Sequence, residues 1–152
     1  MKMKYIYAIL FVAAVAAVAI SSGKGAQAQS KSKQMAVDLM VNHLLEAKEP
    51  QETRPLVDPD TYRIPYISET YKIAAENREA LDKQFCYCYC ALNEKFKHKS
   101  LLTCFTDGHG ANCGICMRQA RETAQMTKAG KTPREIAMYF KETYDKPHDH
   151  NH

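Results

Sequence analysis

The chain has 152 residues, of which 25% are charged, and its formal net charge at pH 7 is +4. This length predicts one small domain. Three lysines and no acidic residue lie in the first 28 positions, so the rest of the chain carries a net charge of only +1. A nearly neutral protein has no electrostatic basis for binding nucleic acid, which we exclude as a partner.

Residues 1–28 are predicted to be a secretory signal peptide. Lys2 and Lys4 give a basic start, residues 5–20 form an unbroken apolar run, and Ala26-Gln27-Ala28 fits an A-x-A cleavage site. A run of 16 residues is shorter than the ~20 that span a bilayer. We therefore expect cleavage after Ala28 and export to the periplasm or cell envelope. The alternative is an uncleaved N-terminal anchor, and only then would the protein be attached to a membrane.

Residues 29–67 predict a helix followed by an irregular segment. Apolar residues recur at helical spacing over residues 34–47. Residues 49–65 contain four of the six prolines, which is typical of an extended crossing. The apolar face of the first helix would consist of Val37, Met40, Val41, Leu44 and Leu45.

Residues 68–145 predict a cysteine-rich helical domain. Ser68 is expected to cap a helix that runs to about Phe85, and residues 100–105 are expected to form a short helix. The fold class is therefore mainly α, with a small single helical domain around a cysteine-rich centre. Residues 146–152 would follow it as a flexible, His-rich tail.

Two further helices complete this domain. Asn112 or Cys113 is expected to cap a helix that ends near Gly130. Thr132 and Glu135 are spaced as a capping box for the last helix. Its core-facing stripe would consist of Ile136, Tyr139, Phe140, Thr143 and Tyr144.

All six cysteines lie within the 31 residues from Cys86 to Cys116, so they serve one local site. In an extended segment Cys86, Cys88 and Cys90 would face the same side, whereas in a helix only the first and last would share a face. Disulfides between i and i+2 neighbours are strained. At least some of these thiols therefore need partners further along the chain, which are Cys104, Cys113 and Cys116.

Three interpretations of this spacing stay open. Cys113 and Cys116 form a C-x-x-C pair that can chelate zinc or a softer ion, with His98 or His109 completing the shell. In a redox protein, Cys113 would be the nucleophile at a helix N-terminus and Cys116 the resolving thiol. In an exported scaffold protein, the cysteines would form structural disulfides.

Other classes are excluded by their missing motifs. Met117 follows Cys116, so the C-x-x-C-H motif of haem attachment is absent, and ferredoxin spacings are absent too. A zinc ribbon would need a second C-x-x-C pair. The sequence contains no Gly-rich phosphate loop and no Ser-His-Asp pattern, so it favours a binding protein over an enzyme.

The leading hypothesis is an exported protein that binds a transition metal ion, zinc or copper(I), because thiolates select these ions. His148, His150 and His152 in the tail are additional candidates for capturing metal. The alternative is a thiol–disulfide redox or electron-transfer protein that uses the Cys113–Cys116 pair and the C-Y-C-Y-C cluster. The metal ligands would be Cys86, Cys88, Cys90, Cys104, Cys113, Cys116, His98 and His109.

The ordered run of cysteines and histidines also resembles a known family. The stretches that carry the resemblance are Cys86-Tyr87-Cys88-Tyr89-Cys90, His98 to Leu102, Cys104-Phe105, His109-Gly110-Ala111 and Cys113 to Cys116. They resemble the CYCXC family, also called the PCYCGC-motif proteins, some of which are described as selenoproteins. The resemblance covers roughly residues 62–144. It implies an exported bacterial protein, often a lipoprotein, with redox or soft-metal chemistry.

The chain departs from this family pattern at two positions. Phe85 stands where the family often has proline, and Tyr89 where it often has glycine. Because a tyrosine side chain disfavours positive φ, a tight turn at Tyr89 is not expected. No cysteine lies near the end of the N-terminal apolar run, so a lipid anchor is not expected either.

Overall fold

The computed structural model describes residues 27–145. Most of the predicted signal peptide and the whole His-rich tail, residues 146–152, lie outside the described residues. The chain divides into two compact units, Met1–Leu39 and Met40–His152. The described part of the first unit, residues 27–39, is helical and buries Val37.

Five α-helices are found in residues 27–145, and no strand is found there, which confirms the mainly α fold class. Four short 3-10 segments connect them: Pro59–Thr61, Cys90–Leu92, Leu102–Phe105 and Gly110–Asn112. The helices are α1 (27–46), α2 (Pro65–Glu76), α3 (Arg78–Asp82), α4 (Gly114–Lys128) and α5 (Pro133–Tyr144). None of these described helices is both long enough and apolar enough to span a membrane.

The predicted single helix from Ser68 to Phe85 is wrong, because the structure has two helices there. Helix α2 begins earlier, with Pro65 at its first position, where the fixed φ of proline suits a helix and its missing N–H is not needed. Asn77 then interrupts the helix. Its φ of −121° and ψ of 32° lie outside the helical region, and its side-chain amide donates to the Ile73 carbonyl at 2.9 Å beside its own backbone N–H.

The two C-terminal helices follow the predicted capping closely. The Cys113 Sγ accepts from the Cys116 N–H and caps α4, and Gly130, with φ of +78°, follows its end. The Thr132–Glu135 capping box of α5 is confirmed. The predicted stripe of α5 is only partly right, since Tyr139 is 39% exposed and Thr143 is half-buried. The buried face keeps the other three stripe residues and adds Ala137, so it consists of Ile136, Ala137, Phe140 and Tyr144.

The core of the second unit contains the thiols themselves. Helices α2 and α3 pack against α4, and the irregular segments between α3 and α4 fill the space between them. Four cysteines belong to the same buried cluster as the apolar side chains, so the cysteine-rich centre lies inside the hydrophobic core. This cluster consists of Tyr71, Ala74, Leu81, Cys86, Cys90, Leu101, Leu102, Cys104, Phe105, Cys116 and Ala120.

Candidate metal centre

The C-Y-C-Y-C segment forms a turn rather than the extended strand or helix that the sequence left open. The Tyr89 N–H donates to the Cys86 carbonyl at 3.0 Å, and a 3-10 segment begins at Cys90. Tyr89 has φ of +59°, so the expectation that its side chain would prevent such a turn is wrong. The Tyr89 hydroxyl donates to Asp145 at 2.8 Å and its ring packs on Phe85, and these contacts offset the backbone strain.

Gln119 on α4 positions this turn, and the sequence analysis missed it. Its side-chain oxygen accepts from the Tyr87 N–H at 2.9 Å, and its amide nitrogen donates to the Phe85 carbonyl at 3.2 Å. The Gln119 side chain is fully buried, so these hydrogen bonds form in a low-dielectric environment where they are strong. The only signal in the sequence is a glutamine on the core-facing side of α4, between Cys116 and Ala120.

Three of the thiols form a triangle. The Cys86 Sγ lies 3.3 Å from the Sγ of Cys88 and 3.3 Å from that of Cys116, and the remaining edge, Cys88 to Cys116, is 3.5 Å. In a tetrahedral zinc–thiolate site with Zn–S bonds of about 2.3 Å, the S···S edges are about 3.8 Å. The triangle therefore needs to expand by only a few tenths of an ångström to hold an ion.

The two predicted histidines lie at the other end of the same centre. The His98 Nδ1 is 3.2 Å from the Cys104 Sγ, which is 3.6 Å from the Sγ of Cys90. The His109 ring lies 4.9 Å from the His98 ring, and the Phe96 ring covers it at 4.5 Å. Both imidazoles are thus held in place by ring contacts.

The structure brings all eight predicted ligands together in three overlapping groups. Within each group the ligand atoms lie within 4.8 Å of one another. Cys88 belongs to two of the groups, and so does Cys90. The groups are Cys86–Cys88–Cys90–Cys104, Cys88–Cys113–Cys116 and Cys90–His98–His109. Whether these atoms bind an ion stays a prediction, but the arrangement can hold one.

All six cysteines are free. Their closest Sγ atoms are 3.3 Å apart, well beyond the ~2.05 Å of a disulfide bond. The thiols therefore lie close together without being bonded to one another, as the sulfur ligands of a metal ion do.

The thiols differ in acid–base character. Hydrogen bonds from Cys104 and Cys113, followed by those from Cys116 and Cys86, lower the pKa of the Cys88 thiol far below its usual value. Burial raises the pKa of Cys86. Hydrogen bonding from Cys116 lowers the pKa of Cys113, but hydrogen bonding to Cys88 and burial outweigh it and raise this pKa to about 12. Among the six thiols, the lowered pKa is therefore that of Cys88.

Of three comparisons with known proteins, only that with family models finds a match. No curated protein matches the chain, and no solved structure matches it. One family model matches residues 9–151, almost the whole chain, and its description is "Protein of unknown function with PCYCGC motif". The cysteines of the motif in this description correspond to Cys86, Cys88 and Cys90, which supply three of the eight side chains of the centre. The chain therefore belongs to the PCYCGC-motif family.

Proposed function

We propose that this protein is exported and binds a soft or borderline transition metal, zinc or copper(I), through its cysteines and histidines. The observation that supports this most is the convergence of six thiols and two imidazoles in three overlapping groups. We call these eight residues the thiol–imidazole centre. Thiolates favour zinc and copper(I), and imidazole suits both metals.

The burial of the centre supports metal binding further. Cys86, Cys90, Cys104 and Cys116 are at most 3% exposed and have apolar neighbours. Such an environment opposes ionisation of the thiols unless a cation compensates the charge. A metal ion supplies that cation, and each thiol that becomes a ligand releases its proton to solvent.

Elemental analysis tests the proposal. The full chain is expressed, and the form that the cells release is purified without oxygen or added metal. We expect bound zinc or copper in the wild type and its loss in a Cys86→Ser/Cys104→Ser variant. A His43→Gln variant, which removes an exposed imidazole outside the centre, should retain the metal. Metal-free protein with three intact disulfides would overturn the proposal. The mass of the released chain also tests cleavage after Ala28.

A thiol–disulfide redox function is the second candidate, and one observation favours it. Cys113 caps α4, and its Sγ accepts from the Cys116 N–H at 3.4 Å, as in a C-x-x-C redox pair at a helix N-terminus. The raised pKa of Cys113 weakens this candidate, because a redox nucleophile is normally a thiolate. If Cys113 in the metal-free protein alkylates no faster than a free thiol at pH 7, the redox function loses its nucleophile.

A further inference from the structure

The three ligand groups share two residues, Cys88 and Cys90. This overlap bears on how many ions the centre can hold. A single ion in the four-thiol group would use Cys86, Cys88, Cys90 and Cys104. Two further thiols, Cys113 and Cys116, would then remain unused beside it. Cys116 is fully buried, and its Sγ lies 3.3 Å from that of Cys86 and 3.5 Å from that of Cys88.

Cys88 is placed to serve two ions at once. It belongs both to the four-thiol group and to the group that it forms with Cys113 and Cys116. A thiolate sulfur has more than one lone pair, so it can bridge two metal ions. The Cys88 Sγ also lies 3.3 Å from the Sγ of Cys86 in the first group and 3.5 Å from the Sγ of Cys116 in the second.

The number of donors in the second group favours copper(I) over zinc. It offers three protein donors, Cys88, Cys113 and Cys116, whereas structural zinc sites are almost always closed by four. Copper(I) is a soft ion that accepts two or three thiolate ligands. Its single positive charge also allows several ions to lie close together when thiolates bridge them.

We propose that the centre is a polynuclear copper(I)–thiolate cluster in which Cys88 bridges an ion of the four-thiol group and an ion of the Cys88–Cys113–Cys116 group. This inference rests on the proposed function and specifies the metal and the stoichiometry of the same site. Cys90 belongs both to the four-thiol group and to the group with His98 and His109. It is therefore placed to bridge in the same way to a further ion at the imidazoles.

The test loads the anaerobic, fully reduced full-length protein with copper(I) in competition with a chromogenic copper(I) chelator. Native mass spectrometry counts the ions, and X-ray absorption detects copper–copper scattering. We expect at least two ions per chain and a copper–copper path in the wild type. Cys88→Ser should lose at least one ion together with that path.

His43→Gln is the control, because it removes an exposed imidazole that belongs to none of the three ligand groups. It should retain two ions and the copper–copper path. A wild type with one ion, or with two ions and no copper–copper path, would overturn the cluster while leaving the proposed function intact. A wild type with no copper and no other metal would overturn both. If Cys88→Ser does not fold, the wild-type count and scattering decide alone.

Discussion

The segment around residues 98–105 is held from two sides by two different kinds of buried polar group. On one side is a network of oxygen-bearing side chains, which we call the polar network and which consists of Glu52, Asp82, Ser100 and Thr103. On the other side is the thiol–imidazole centre, which reaches the segment through His98 and Cys104. The polar network is buried, as are five of the eight residues of the centre, but the two sets differ in how completely their hydrogen bonding is satisfied.

The polar network is complete within the chain. The Asp82 carboxylate accepts from the Gln51 N–H at 2.6 Å, from the Glu52 N–H at 3.2 Å and from the Ser100 hydroxyl at 2.6 Å. Glu52 forms an ion pair with Arg54 at 2.7 Å and accepts from the Thr103 hydroxyl at 2.8 Å. No buried side-chain oxygen of the four network residues lacks a partner. Such a network fixes the fold whether or not a ligand is present.

The thiol–imidazole centre lacks such strong hydrogen-bonding partners, and under the proposed function a bound cation would complete it. Its sulfur atoms contact one another, and thiols are weak donors and weak acceptors. Five of the six thiols have raised pKa values, and only that of Cys88 is lowered. Under the proposed function, the contrast means that fold stability and metal binding depend on opposite sides of one segment. Adding metal should therefore distinguish substitutions on the two sides. Only those in the thiol–imidazole centre should change the stability that the metal adds.

The largest expected effect is the loss of metal-dependent stability in Cys104→Ser. A metal at 1,000 times its dissociation constant stabilises the folded wild type by about 4 kcal/mol. Cys104→Ser removes one ligand of the four-thiol group and should lose most of this gain. The measurement is urea unfolding with and without the metal that elemental analysis identifies. An unchanged gain in this variant would place the metal elsewhere.

Asp82→Ala should destabilise the protein by roughly 3–4 kcal/mol, with or without metal. The substitution leaves two backbone N–H groups and the Ser100 hydroxyl without their acceptor. Water can replace the acceptor of the partly exposed Gln51 N–H, so the loss corresponds to the lower range for two hydrogen bonds to a charged group, at about 1.5–3 kcal/mol each. Urea unfolding measures the loss. Glu79→Ala, which removes an exposed acid from the same helix α3, should change stability by less than about 0.5 kcal/mol. Similar losses in the two variants would refute the role of the polar network.

Acid should weaken the polar network through Glu52. Its hydrogen bonds with Arg54 outweigh burial and, with that from Thr103, lower its pKa to about 2. A carboxyl group with a lowered folded-state pKa contributes stability that is present above its unfolded pKa and is lost as the pH falls through the folded pKa. We expect about 3 kcal/mol to disappear between about pH 4.5 and pH 2.

Urea unfolding across that pH range measures this loss, and Glu52→Gln should remove most of the pH dependence. The control is Glu94→Gln, whose parent carboxylate is 94% exposed and should contribute little. If Glu52→Gln and the wild type lose stability in parallel as the pH falls, the ion pair of Glu52 is not responsible.

Gly110→Ala should cost about 1–3 kcal/mol, because it overpacks the core next to the centre. A Cβ at Gly110 would lie 2.7 Å from the Cys104 carbonyl oxygen and 3.2 Å from the Tyr71 hydroxyl. Thermal unfolding measures the loss. Gly114→Ala is the matched control, because no atom lies within 4 Å of its added Cβ, and alanine suits the first turn of α4. Equal melting temperatures for the two variants would show that the 3-10 segment at Gly110 can move aside.

The features predicted best from the sequence are those that depend on residues close together in the chain. The capping box of Thr132 and Glu135 and the cap at Cys113 depend on contacts across three positions, so they could be read directly. The convergence of cysteines and histidines was expected from their density, since six thiols crowd into 31 residues. The fold class followed from the helical spacing of apolar residues.

What the sequence could not predict depends on contacts across long separations. The positive φ of Tyr89 is tolerated because its hydroxyl reaches Asp145, 56 positions away. Gln119 holds a turn that lies more than 30 positions before it. The pairing of Glu52 with Thr103 spans 51 positions. Local spacing does not identify such distant partners. Neither the polar network nor the role of Gln119 in holding the cysteine turn was therefore predicted.

The smallest expected effect is that of deleting residues 148–152, which carry three of the six histidines. The thiol–imidazole centre already supplies eight donors between residues 86 and 116. Residues 148–152 offer imidazoles but no thiolate, and thiolates are the ligands that select copper(I) and zinc. We expect the deletion to change the high-affinity metal capacity by less than about twofold, because only this weaker site is lost. A competition titration with a chromogenic chelator compares the deletion with the wild type and with Cys88→Ser. If the deletion abolishes high-affinity binding while Cys88→Ser retains it, the histidines of the tail are the metal site, and the buried thiols serve the fold in the same way as the polar network.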